Sequence, residues 1–349
     1  DGDSINSWFF NEGTTKEVIY RLMEEGYKIE GGDKLGKTII FAKNDRHADH
    51  IVEVFNKMHR KNGDFCQKIT TKIEKVQDLI DRFSNPKSMP QIAVSVDMLD
   101  TGIDIPEILN LVFYKKIRSK SKFWQMIGRG TRKCPNIFGL GEDKKDFLIF
   151  DFCGNFSYFE LEDNFDKATP KISESLTSRI FSKKVRLIQK LQNLEYQMND
   201  NYSKLWKELV ESVYNNIDSL NEENISVKIK IPYVKKYKDK EKILQLSEKE
   251  AEEMIEHLRK LPFEIDSSNE KEKKFENLIL EAQLKLTEEK DIKKEKEEIQ
   301  ETAKALMKKG TINHIKENAT EIFKIIKDKD YVENLDILDL ENIKDKIKP

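Results

Sequence analysis

Residues 115–133, KKIRSKSKFWQMIGRGTRK, hold eight basic side chains and no acidic one. That imbalance stands out in a chain whose 62 Lys and Arg nearly cancel its 64 Asp and Glu. If a helix begins near Ser121, then Gln125, Arg129 and Arg132 fall at i, i+4 and i+7 and share one face. Two guanidinium groups a turn apart suit the charge that develops on a transferring γ-phosphoryl group. Lys115, Lys116, Arg118, Lys120 and Lys122 suit the phosphates of a nucleotide or a nucleic acid. The plainer alternative is a basic helix facing solvent. Against it, Gly128 and Gly130 weaken a helix, a cost that packing or a ligand usually explains. Phe123 and Ile127, four residues apart, can anchor the segment to a core.

A second stretch, QIAVSVDMLDTGIDIP at 91–106, reads as a strand ending near Asp97 and then a tight acidic loop closed by Pro106. In parallel α/β sheets ligands bind beyond the carboxyl ends of strands, which is where this loop falls. Gly102 allows close approach of a ligand to the backbone, and Asp104 can accept from a ribose hydroxyl or hold an arginine. An ordinary strand-to-helix turn, with Asp as cap and Gly for positive φ, explains the same residues.

A third stretch, GGDKLGKT at 31–38, matches the phosphate-loop pattern G-x-x-x-x-G-K-S/T. Such a loop follows a strand and opens a helix. Here the order is reversed. TTKEVIYRLMEEGYKIE reads as a helix opened by a Thr14–Glu17 capping box, and Thr38–Ala42 reads as a buried strand. The glycines therefore belong to a helix-to-strand connection.

The elements that would carry these residues follow from patterning. Ala48, Ile51, Val52, Phe55 and Met58 mark an amphipathic helix, and Ile73, Val76 and Ile80 mark another. Strand-like runs occupy 92–96, 108–114 and 147–152. This alternation predicts an α/β unit over 1–166 with a mostly parallel sheet flanked by helices. From about 170 Lys and Glu dominate, which predicts a mainly α-helical C-terminal domain over 167–349. Its signs are a Ser247–Glu250 capping box, a helix ended by Pro262, and an apolar stripe of Phe275, Leu278, Ile279, Ala282 and Leu286. Ile225, Val227, Ile229 and Ile231 alternate with polar residues, as in a strand or an extended crossing. Whether 286–309 is one helix stays open.

With 349 residues, two domains are expected. Cys66, Cys134 and Cys153 lack metal-ligand spacing, so neither a metal site nor a disulfide is expected, and a reducing cytoplasmic setting fits. No apolar run reaches membrane-spanning length. The chain opens on Asp1 and not on Met, which suggests a piece of a longer protein.

Together these stretches resemble the second RecA-like lobe of superfamily 2 helicases. Lys37–Lys43 is similar to the strand that begins that lobe, residues 94–106 to its motif V, and QMIGRGTR at 125–132 to motif VI. KTIIFAKN, SVDMLDTGIDIPEILNLVFYKKIRSKSKFWQMIGRGTRKCP and FDFCGNF resemble more specifically the R (restriction, HsdR-type) subunit of bacterial type I restriction endonucleases. ENISVKIKIPYVKKY and FENLILEAQLKL are similar to that subunit's C-terminal region. The resemblance implies an ATP-dependent double-stranded DNA translocase motor that drives cleavage in restriction-modification. It gives Arg132 the arginine-finger role with Arg129 beside it, and Gln125 a part in coupling the nucleotide to the lobe interface. Gly102 and Asp104 would line the nucleotide cleft, and Thr101 the DNA-facing side. ATP and Mg²⁺ would bind together with a first motor lobe of the same parent chain, which in the family also carries the nuclease domain. The phosphate loop and the D-E-x-D/H run are absent here, so these residues alone are expected to be inactive. The helical domain would assemble with the modification and specificity subunits of the methyltransferase. Two alternatives remain: another superfamily 2 DNA or RNA helicase, and a non-catalytic protein docking module.

Overall fold

A computed structural model describes residues 9–59, 63–99, 104–161, 174–263, 268–308 and 317–347. The chain divides into two compact units. The first is Asp1–Ser173 with Asn221–Ile229, and the second is Glu174–Leu220 with Lys230–Pro349. The expected boundary at 166/167 lies outside the described residues. What it omits is the return of nine residues of the later chain to the first unit. Asn221 explains that return, because its side-chain amide donates to the carbonyls of Lys57 and Met58, both at 3.0 Å. Those are unpaired carbonyls at the end of a helix, which need donors from elsewhere.

In the first unit, β1 (Lys28–Ile29) and β2 (Lys34–Leu35) form a small antiparallel hairpin. The main sheet contains β3 (Lys37–Ala42), β4 (Cys66–Ile69), β5 (Ile92–Ser95), β6 (Ile108–Tyr114) and β7 (Leu148–Asp151). Its order is β4-β5-β3-β6-β7, and every pairing is parallel. Every residue of β3 and β6 is buried, as expected of central strands covered on both faces. Side chains alternate between two cores. Ile40, Ala42, Val112 and Tyr114 pack under helices α1 (Glu12–Glu25) and α2 (Asp45–Met58). Ile39, Phe41, Leu111 and Phe113 pack under α3 (Val76–Ser84) and α4 (Lys120–Ile127). The edge strand β4 has no apolar run, only Cys66 and Ile69 turned inward, and sequence patterning does not find it.

Two expectations change, and one open question closes. Helix α1 is capped by Asn11, whose side chain accepts from Thr14 N, and not by a Thr14–Glu17 box. Residues 225–231 are helical and not a strand: Ile225–Ile229 is one short helix and Ile231–Tyr237 the next. Asn224 opens the first by accepting from Ser226 N at 2.9 Å, and Pro232 sits in the first turn of the second, where its missing N–H costs nothing. The segment 286–309 is not one helix, since Glu270–Thr287 ends before Lys293–Met307 begins.

The second unit is helical throughout its described residues. Leu176–Leu191, Asp200–Asp218, Glu248–Leu258 and Glu270–Thr287 are its longer helices. The Ser247–Glu250 capping box is present, and Phe275, Ile279 and Ala282 are buried in one cluster.

The phosphate-loop look-alike resolves at the amino edge of the sheet. Lys37 is buried, and its ammonium donates to the carbonyls of Ser88 and Pro90, both at 2.7 Å. Burial pushes its pKa down to about 8. Thr38 Oγ1 donates to Gly36 O and accepts from Asn110. Neither side chain is presented to a phosphate.

Two predictions follow from these cores. A Cβ at Gly130 would lie 2.2 Å from the Phe147 ring, so glycine is required there for the turn after α4 to close on the sheet. Gly130→Ala is expected to lower unfolding free energy by about 1–3 kcal/mol in urea melts. Shortening Phe147 to Leu in the same chain should recover part of that loss, whereas strictly additive losses would contradict the packing account.

His47 Nδ1 accepts from Lys43 N at 3.2 Å, and its ring lies against Tyr114 and Phe9. Burial lowers its pKa from 6.5 to about 3. With the folded pKa below the unfolded one, the unfolded chain binds the proton first. The stability linked to neutral His47 is therefore complete above pH 6.5 and is lost as pH falls toward 3. Its slope is up to about 1.4 kcal/mol per pH unit. Unfolding free energy should fall more steeply on acidification below pH 6.5 in the wild type than in His47→Phe. Equal slopes would refute the assignment.

Candidate functional site

The carboxyl edge of the sheet gathers the polar residues. Strand β5 stops at Ser95, whose hydroxyl accepts from Leu99 N at 3.0 Å and turns the chain. Between them Asp97 adopts a left-handed backbone, φ 60°, which Asp tolerates better than most residues. Its Oδ1 accepts from Lys122 Nζ at 2.7 Å and from Lys115 Nζ at 3.1 Å. The Lys122 hydrogen bond, together with the Lys115 charge, holds the carboxyl down at about 2, well below its usual range. Lys115 follows directly on β6 and its side chain is only 9% exposed, so Asp97 neutralises a nearly buried charge.

The neighbouring strand ends are tied in by Asn155. It accepts from Ile117 N at 2.8 Å and donates to Lys115 O and to Asp151 Oδ1. Asp151 in turn accepts from Phe156 N. Asn155 begins the one-turn helix α5 (Asn155–Tyr158) just after Gly154, whose φ of 67° favours glycine. Polar contacts thus run from the end of β5 through β6 to β7.

The arginines are placed differently from expectation. Helix α4 is capped by Ser119 and ends at Ile127, so Gln125, Arg129 and Arg132 do not share a helical face. Beyond Gly128 the chain tightens into a turn, with Arg129 N bonded to Met126 O and Gly130 N to Ile127 O. The reason is local: glycines at 128 and 130 disfavour continued helix, and Gly130 must fit beneath Phe147. Gln125 is exposed on α4, and Arg129 Nε donates to its carbonyl at 3.3 Å. Arg132 leaves the turn and its Nε meets Asp104 Oδ1 at 2.8 Å, with side chains 61% and 67% exposed. Exposed pairs of this kind contribute only about 0.2–1 kcal/mol, so the bond exchanges easily for a better anion.

Of the other expected residues, Lys116 and Arg118 are exposed in the approach to α4, and Lys120 is exposed at its first position. Lys115 is not: its side chain is nearly buried and bonded to Asp97. Lys122 is half-buried on the same carboxylate. Thr101 and Gly102 lie outside the described residues. Sequence reading assigned no role to Asp97, Asp151 or Asn155. A signal was available in Asp97 at a strand end, opposite lysines just after the next strand. Among the described residues no three His, Cys, Asp or Glu side chains gather as a metal site, and no helix is long and apolar enough to cross a membrane.

Comparison with known proteins bears on the same residues. Residues 18–134 match the model of the helicase conserved C-terminal domain. The chain is 40% identical over 136 residues to the EcoKI type I restriction enzyme endonuclease subunit of Escherichia coli K12, covering 36% of this chain and 11% of that protein. It is 30% identical over 165 residues to the EcoAI endonuclease subunit of Escherichia coli, covering 46% and 20%. The chain thus spans a fifth or less of the length of these relatives. A solved fragment of a candidate HsdR subunit from Vibrio vulnificus YJ016 aligns at 23% identity over 49% of this chain and 32% of that one, with a TM-score of 0.38, too low to bear on the reading. The parallel sheet and the matched segment agree on a RecA-like lobe of the helicase C-terminal kind, and over that segment the chain is similar to the endonuclease subunits of two type I restriction enzymes.

Proposed function

We propose that this chain supplies the second motor lobe and the following helical part of a type I restriction R subunit, an ATP-dependent translocase on double-stranded DNA. The observation that carries the reading is the exposed Arg132–Asp104 pair on the turn after α4, with Arg129 beside it. An arginine held by one solvent-facing carboxylate can leave it for a γ-phosphate, a denser anion offering more acceptor oxygens. Asp104, once released, can accept from a ribose hydroxyl. Gln125 would report nucleotide occupancy to the facing lobe, and Gly102 and Thr101 would line the nucleotide and DNA sides of the same loop.

ATP and Mg²⁺ would be gripped chiefly by the first lobe of the parent chain. Lys37, which completes the look-alike loop, is bound to Ser88 and Pro90 at the opposite edge of the sheet, so it does not compete for that role. Lys116, Arg118 and Lys120 would meet the duplex backbone, a contact that weakens with salt. The helical part would assemble with the modification and specificity subunits, and cleavage would fall to the nuclease domain of the parent. The complex would work in the cytoplasm.

In the intact R subunit, Arg132→Ala is expected to lower DNA-dependent ATP turnover by about 10³-fold or more. Its melting temperature should not move, because Arg132 is exposed and its ion pair is weak. Near-normal turnover would refute the arginine assignment and favour a docking role for the lobe. The chain described here, purified alone, should hydrolyse ATP no faster than a buffer blank in a phosphate-release assay. Robust hydrolysis would mean that the 31–38 loop had been misjudged.

A further inference from the structure

The loop that follows β5 is held to the basic segment at both of its ends. At one end Asp97 accepts from Lys115 and Lys122, and at the other Asp104 accepts from Arg132. The two ends differ in kind. Asp104–Arg132 is a single pair exposed on both sides, whereas Asp97, also 63% exposed, gathers two ammonium groups on one oxygen, and one of them, Lys115, is nearly buried. One attachment is built to exchange and the other to persist.

Lys122 matters because α4 is short. Its eight residues are held to the core by Phe123, Met126 and Ile127 along one side. Apolar contacts resist withdrawal of such a helix but oppose its rotation and sliding less well, since they are not directional. A bond from Lys122 to a fixed strand end supplies the direction. Lys115 fixes the same carboxylate to β6, and Asn155 fixes the Lys115 backbone to Asp151 on β7.

We propose that Asp97 is a positioning residue of the motor: it clamps the end of β5 to β6 and α4 so that the turn carrying Arg129 and Arg132 stays aimed at the nucleotide while Arg132 changes partners. This deepens the function proposed above and depends on it. Asp97 touches no reacting atom and acts through α4.

The test uses the intact R subunit with steady-state ATP turnover and thermal unfolding measured side by side, and Arg132→Ala as reference. Lys122→Met removes the more exposed arm of the clamp without opening the core. It should lower kcat by about tenfold or more while KM for ATP changes less than about threefold, and Lys122→Arg, which keeps the charge, should restore most of the rate. Asp97→Asn keeps a residue suited to positive φ and removes the charge. It should lower kcat similarly. If Asp97→Asn fails to fold because Lys115 loses this carboxylate, Lys122→Met still decides. Wild-type kcat in Lys122→Met while Arg132→Ala is inactive would overturn the clamp alone. Wild-type kcat in Arg132→Ala would overturn the proposed function itself. An equal loss in Lys122→Met and Lys122→Arg would also overturn the clamp, since charge would then be irrelevant.

Discussion

Strands β3 and β6 are buried along their whole length, with apolar side chains alternating between two cores, and the other features of the lobe depend on that burial. A strand covered on both faces by helices needs neighbours that run in its own direction, because the chain must cross over a face between strands. All five strands therefore present their carboxyl ends at one edge. Polar residues that close the sheet at the other edge, such as Lys37 and Lys144 on loop and strand carbonyls, serve structure. At the carboxyl edge Asp97 and Asn155 also serve structure, while Arg132 and Asp104 keep their water.

The same constraint separates the two classes of basic residue. Lys37 and Lys144 are lysines whose pKa is pushed down to about 8 by burial, with backbone carbonyls as partners. Lys115 also loses most of its water but gains Asp97, a full charge. Arg132 keeps its water and holds Asp104 loosely. Burial and partner type, more than residue type, decide which basic groups stay put and which can be recruited by an anion.

Much of this was legible in the sequence. The central strands, the amphipathic helices and the Ser247–Glu250 cap were readable because hydrophobic periodicity and capping are local signals. The edge strand at Cys66–Ile69 was not, since it turns only two side chains inward. The alternation at 225–231 suggested a strand or an extended crossing, but helices of five and seven residues carry too few turns for periodicity to speak, and Asn224 caps the first of them. At the site, Arg132 and Asp104 were both named beforehand. The helical face proposed for the arginines was not formed, because Gly130 packs against Phe147, a contact seventeen positions away in sequence. Asp97 stayed silent for a similar reason: its partners lie eighteen and twenty-five residues on, and only the parallel sheet brings them together.

The central claim is that Arg132 exchanges one anion for another while the lobe around it stays fixed. The most direct measurement is a structure of the intact R subunit with a non-hydrolysable ATP analogue and Mg²⁺, compared with the same subunit without nucleotide. The account predicts that Arg132 moves from Asp104 onto the γ-phosphate, with Lys115 and Lys122 still on Asp97. An Arg132 that remains on Asp104, with no contact to the nucleotide, would contradict it.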